Sequence, residues 1–165
     1  MAFPTYIQLD QMDCGPTCLR MIAKHYGKSF SLESLRNASC ITREGVSLLG
    51  ISAAAEKIGF KTLAASVNLE QLDEEVSLPC IIHWNQNHYV VIPPQNCSIK
   101  NPKAKLLIAD PAHGLVKLDR ETFLKAGSVK VISRVLYYCL NLHLCFISRK
   151  MIQILKVDLI FFFNI

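Results

Sequence analysis

Residues 79–93 read Pro-Cys-Ile-Ile-His-Trp-Asn-Gln-Asn-His-Tyr-Val-Val-Ile-Pro. Two short apolar runs, rich in Ile, Val and aromatic residues, flank a polar Asn85-Gln86-Asn87, and a proline stands at each end. That pattern predicts two strands, 79–84 and 88–93, joined by a turn. Working outward, similar apolar or alternating runs at 61–67, 105–110 and 114–118 add three more strands. Asp119 then caps a last helical turn that runs to Leu124.

Upstream the period changes from two to 3.6. Gly15-Pro16 opens a helix over 14–27, with proline tolerated in the first turn. Leu19, Ile22, Ala23 and Tyr26 recur along one face, and Gly27 closes it. Ser31 is an N-cap candidate for a short helix carrying Leu32 and Leu35. A third helix is expected over 47–58, with Leu48, Ile51, Ala55 and Ile58 on one face and Gly59 as its stop. Helices first and strands later predict an α+β fold, N-terminal helices packed on an antiparallel sheet, and argue against alternating βαβ units.

At 165 residues the chain has room for one domain with a substantial core. Residues 1–129 are nearly neutral, with 13 Lys/Arg against 12 Asp/Glu, while 130–165 hold five basic residues and the single acid Asp158. No basic stripe with interleaved aromatics appears, so a nucleic-acid partner is not expected. Seven cysteines at irregular spacing, with no basic or apolar leader before them, fit a reduced, cytoplasmic protein whose thiols are mostly small core residues. No CxxC or CxxH spacing suggests a metal, and no cofactor is expected.

The chemistry-bearing stretch is Gln8-Leu9-Asp10-Gln11-Met12-Asp13-Cys14-Gly15-Pro16. A thiolate at a helix N-terminus is favoured by unpaired backbone N–H groups and the helix dipole. The same N–H groups can hold an oxyanion during acyl transfer, and the amide of Gln8 can swing in as a second donor. The alternative for Cys14 is an inert buried thiol, a reading that suits Cys18, one turn further in.

A cysteine nucleophile needs a base, and the base needs an orienting group. His25 reads as a surface residue, His113 lies in a loop and His143 in the tail, which leaves His83 and His88. If 88–93 and 105–110 form an antiparallel pair with Val90 facing Ile108 and Ile92 facing Leu106, His88 stands directly opposite Asp110. Their Cβ atoms would then be about 4.5–5.5 Å apart, close enough for an imidazole–carboxylate hydrogen bond. His83 has no such partner in that register.

These residues, in order, resemble the peptidase C39 family. The resemblance rests on Gln8-x-Asp10-x-x-Asp13-Cys14-Gly15-Pro16, Glu44-Gly45-Val46-Ser47, Asn87-His88-Tyr89-Val90-Val91 and Ala109-Asp110-Pro111-Ala112-His113-Gly114, and covers about residues 3–125. It implies a papain-like fold and a thiol peptidase that removes the leader of a bacteriocin-like peptide after a Gly-Gly pair. Such domains sit at the cytoplasmic N-terminus of ABC exporters, whose membrane and ATPase parts would be the partner here, at the inner face of the membrane. The resemblance also implies roles: Cys14 as nucleophile, His88 as general base and acid, Asp110 as orienting residue and Gln8 as oxyanion-hole side chain.

Residues 130–165 depart from the family pattern. Their apolar runs are interrupted by Arg149-Lys150, Lys156 and Asp158, so neither reaches the roughly 18 residues of a membrane span. The expectation is a peptidase domain over 1–129 and a tail outside the fold, left by a truncated or frameshifted exporter gene. The alternatives are a leader-binding module without catalysis, an inactive relic, or another cysteine acyl-transfer enzyme of the transglutaminase type.

Overall fold

In the computed structural model the described residues are 2–42, 45–68, 71–72, 76–85, 87–95, 105–124 and 129–134. The helices are α1 (Cys14–His25), α2 (Leu32–Ser39), α3 (Leu48–Lys57) and the short α4 (Arg120–Leu124). The strands are β1 (Thr62–Val67), β2 (Cys80–Trp84), β3 (His88–Ile92), β4 (Lys105–Asp110), β5 (Gly114–Asp119) and β6 (Val129–Arg134). A 3-10 turn, Gln11–Asp13, leads into α1.

Local chemistry explains the boundaries. Ser31 caps α2 by accepting the Ser34 N–H at 3.1 Å, and Ser47 caps α3 by accepting the Gly50 N–H at 3.0 Å. Each satisfies one of the backbone donors that a helix start leaves without a partner. Gly59 follows α3 at φ +89°, a left-handed conformation that glycine adopts without a Cβ clash.

The strands form one antiparallel sheet in the order β1-β6-β2-β3-β4-β5. Both of its faces are covered. Ile81, Tyr89, Val91, Ala109 and Ile132 face the core shared with Cys18, Leu19, Ile22, Ile51 and Ala54 of α1 and α3. Cys80, Ile82, Val90, Ile92, Leu106, Ile108 and Val131 face the other way, toward Leu72 and Phe123. Burial on two sides explains why β2 and β3 read as continuous apolar runs and not as alternating ones.

The expected strand and helix positions hold to within one or two residues, and two expectations need correction. The first is the end of the fold. Residues 130–134, assigned above to a tail outside it, belong to β6, which lies between β1 and β2. Val131 and Ile132 are 2% and 4% exposed, so the strand is part of the core on both faces. The compact unit runs to Val135, and the remainder of the expected tail lies outside the described residues.

The second is the pairing of β3 with β4. Val91 stands opposite Ala109, two residues away from the expected register. His88 and Asp110 are therefore diagonal neighbours and not a directly opposed pair. A slip of two preserves the face that each side chain occupies, whereas a slip of one would have separated them. Diagonal positions are about 7–8 Å apart at Cα, within reach of a long side chain such as histidine.

Candidate active site

Cys14 is the first residue of α1, and three contacts fix where that helix starts. Asp10 and Asp13 form a reciprocal cap, in which Met12 N–H donates to Asp10 Oδ1 at 3.2 Å and Asp10 N–H donates to Asp13 Oδ2 at 3.1 Å. Asp13 is itself 1% exposed, and Arg36 of α2 neutralises it with a two-pronged ion pair, its Nε reaching Asp13 Oδ1 at 2.5 Å and its Nη2 the other oxygen. A buried carboxylate is tolerable only when paired and hydrogen-bonded in this way. The hydrogen bond to Asp13 also raises the Arg36 pKa. One turn into the helix, Cys18 Sγ donates to the Tyr89 carbonyl at 3.3 Å and ties α1 to the start of β3.

That anchoring brings Cys14 to His88. The His88 imidazolium is favoured up to about pH 9, first by its hydrogen bond to Cys14, against the opposing effect of burial, and then by Asp110. His88 Nε2 lies 2.7 Å from Asp110 Oδ1. Asp110 closes β4 and is 7% exposed. Burial pushes its pKa up, yet hydrogen bonds from His88, His113 and the Ala112 N–H hold it below the ordinary carboxylate value. The carboxylate is thus ionised and acts only as an acceptor, which forces its imidazole partners to be donors.

Gln8 lies beside the same turn, its backbone N–H donating to the Pro111 carbonyl at 2.8 Å. Its side-chain Oε1 is buried and has no hydrogen-bond partner. Of the four residues singled out from sequence, His88 contacts both Cys14 and Asp110, and Gln8 is anchored to the turn that follows Asp110.

His83 occupies a different place. Its ring stacks on Tyr89 with centroids 4.4 Å apart, and Lys130 of β6 stands opposite it across the strand pair. Burial first, then Lys130 and His88, lower its pKa, which favours the neutral imidazole. His83, Tyr89 and Lys130 line a cleft of about 330 Å³ that includes Cys14, with Met12 and Val46 among the other wall residues. Gly45, at φ +100°, forms a bridge with Thr42 and presents bare backbone to this cleft.

Two contacts escaped the sequence reading. Arg36 pairs with Asp13 across 23 residues, and no local pattern announces that. His113, dismissed as a loop residue, places Nδ1 2.8 Å from Asp110 Oδ2. Its i,i+3 spacing from Asp110 through an Asp-Pro turn was the available signal. Cys18 and Cys80 are buried thiols whose pKa burial raises, Cys80 to about 12, as expected of inert core residues.

Comparison with known proteins places the chain in a family. The model of the peptidase C39 family matches residues 2–133. The chain is 37% identical over 118 residues to the probable microcin-H47 secretion/processing ATP-binding protein of Escherichia coli, and 36% identical over 118 residues to the colicin V secretion/processing ATP-binding protein of that organism. Both alignments cover 72% of this chain but 16% of the relative, so the chain spans about a sixth of the length of these proteins.

Among solved structures it resembles a double glycine motif protease from an AMS/PCAT transporter in complex with the leader peptide (TM-score 0.71, 30% identity, covering 80% of this chain and 91% of that one). It also resembles the peptidase domain of Streptococcus ComA, a bi-functional ABC transporter involved in a quorum sensing pathway (TM-score 0.68, 27% identity, covering 80% and 98%). The fold is the expected papain-like α+β arrangement, helices on an antiparallel sheet, and the chain belongs to the peptidase C39 family.

Proposed function

We propose that this chain is a cysteine endopeptidase that removes the leader of an exported peptide by cutting after a Gly-Gly pair. The observation that carries the reading is the Cys14–His88–Asp110 contact at one end of a cleft. Thiolate and imidazolium form the reactive pair, and the Asp110 carboxylate orients the ring through Nε2. Cys14 Sγ attacks the carbonyl carbon of the second glycine. The oxyanion is held by the Cys14 backbone N–H and the Gln8 amide. The Gln8 amide oxygen gives up no hydrogen bond when the amide turns its N–H into the same space, and the oxyanion offers that N–H an acceptor. His88 then protonates the leaving amine, and the resulting neutral imidazole takes a proton from water as the acyl-enzyme is hydrolysed.

The Gly-Gly preference is supported by the similarity to a double glycine motif protease. Gly45 and the rings of His83 and Tyr89 close around the cleft beside Cys14. By the same similarity, the natural substrate is the precursor of a secreted peptide, and the partner is the membrane and ATPase part of an exporter. Among the described residues no helix is long and apolar enough to cross a membrane.

The test is cleavage of a synthetic Gly-Gly leader peptide by wild type and by Cys14→Ala. The wild type should cut after the second glycine. Cys14→Ala should bind the peptide and leave it intact, and cleavage by that variant would rule out Cys14 as the nucleophile. Replacing Gln8 with Ala should slow kcat by roughly 10²–10³, the cost of one oxyanion-hole donor.

A further inference from the structure

Asp110 accepts three hydrogen bonds, two more than a simple nucleophile–base–carboxylate line requires. Oδ1 takes His88 Nε2 at 2.7 Å and the Ala112 N–H at 2.8 Å. Oδ2 takes His113 Nδ1 at 2.8 Å. The carboxylate is nearly buried, whereas the His113 side chain is 74% exposed. An imidazole with its body in water has little packing reason to fold back onto an internal carboxylate.

The terminal torsion of an aspartate is soft. A carboxylate held through Oδ1 alone can rotate and take that oxygen away from His88. A donor on Oδ2 fixes its plane. We propose that His113 is a positioning residue of this site, whose Nδ1–H locks the Asp110 carboxylate in the orientation that hydrogen-bonds His88, giving a Cys14–His88–Asp110–His113 relay of contacts from cleft to solvent. This rests on the reading of Cys14 as the nucleophile.

The role is separable from folding. The backbone of the turn is held without the His113 ring, by the Gln8 N–H on the Pro111 carbonyl and by the β4–β5 pairing that ends at Asp110 and Gly114. The titratable groups around His88 are Cys14 on α1, Asp110 on β4 and His83 on β2. His113 reaches His88 only through Asp110. Removing His113 should therefore leave the imidazolium of His88 less well supported.

The experiment compares the wild-type chain of 165 residues with His113→Ala and His113→Asn. Asparagine carries an amide nitrogen near the position of Nδ1 and can donate the same bond. The first readout is the pH dependence of Cys14 carboxymethylation by iodoacetate, followed at the Cys14 peptide by mass spectrometry. Iodoacetate is an anion that the imidazolium attracts, so its rate falls as His88 loses its proton. The second is kcat and KM on a Gly-Gly leader peptide.

The wild type should show an alkaline limb at about pH 9. In His113→Ala that limb should move down by about one unit, with kcat falling about tenfold, the order of one hydrogen bond to a charged group, and KM within twofold. His113→Asn should restore both. A wild-type profile and kcat in His113→Ala, or an asparagine variant as impaired as the alanine one, overturns the proposal. A wild-type Cys14 with no alkaline limb sinks the nucleophile assignment, and the proposal with it.

Discussion

Gly15, directly after Cys14, tests whether close packing at the start of α1 shapes the cleft. A Cβ at this position would stand 2.3 Å from Val46 Cγ1, 2.8 Å from Ile51 Cδ1 and 3.1 Å from Ile51 Cγ1. Ordinary carbon contacts lie at about 3.5–4.0 Å, so Val46 would have to retreat by about 1.2 Å. Val46 is β-branched, stiff at χ1 and 8% exposed, so the retreat falls on its backbone. That backbone carries Gly45 and Val46, which line the cleft beside Cys14.

Overpacking costs about 1–3 kcal/mol, against which the helix propensity of alanine over glycine returns up to about 1 kcal/mol. Gly15→Ala should lose about 1–2 kcal/mol, read in urea as a midpoint lower by about 0.5–1 M at unchanged slope. Cleavage of a Gly-Gly leader peptide should show a raised KM. Val46→Ala introduced into the same variant should recover most of both effects, because the two sites couple through one contact. A Gly15→Ala protein with the wild-type midpoint, or one that Val46→Ala fails to relieve, would refute the packing argument.

Other expectations follow from the same geometry. Plotted as kcat/KM against pH, activity should hold into the alkaline range and fall through about pH 9, because in the proposed mechanism it is the His88 imidazolium that protonates the leaving amine. The folded state shares that sign: the raised His88 pKa stabilises fully below the unfolded value of about 6.5 and the contribution fades as pH rises through about 9. Arg36→Met should lower the melting temperature by several degrees and slow Cys14 alkylation, since it leaves Asp13 buried without its cation. Asp13→Asn added to it should be less damaging than Arg36→Met alone, and an equal or larger loss in the double variant would count against the clamp. A fragment ending at residue 128 should fail to give a cooperative urea transition, while one ending at 135 should give it. Equal cooperativity would show β6 to be dispensable.

Much of the fold was legible because its signals are local. Serine caps, Gly27 and Gly59 mark the helix ends, and the β-branched runs mark the strands. β6 was missed because Val129-Lys130-Val131-Ile132-Ser133-Arg134 directly precedes an apolar, basic stretch and lacks a turn signal to separate it. Its pairing with β1 and β2 is also remote in sequence. The register between β3 and β4 failed for a related reason. Several apolar residues on each strand can face one another in more than one way, and only the parity is set by burial. Parity was enough to bring His88 and Asp110 to one face. The Asp13–Arg36 pair needs the packing of α2 against α1 and was not available from motifs.

The missed strand also bears on the site. Lys130 stands opposite His83 and lines the cleft that contains Cys14. A domain ending at residue 129 would therefore lose the strand between β1 and β2 and one wall of the cleft together. Cys14 is set by α1, His88 and Asp110 by β3 and β4, and part of the cleft wall by β2 and β6. Since α1 reaches β3 through Cys18 and the Tyr89 carbonyl, and Tyr89 stacks on His83 of β2, the spacing between thiol and imidazole depends on a continuous packed path through the sheet. Damage to β6 should accordingly appear first as a misplaced cleft wall beside an intact Cys14–His88 contact. In a partly destabilised β6 variant, peptide binding should weaken before iodoacetate reactivity at Cys14 is lost.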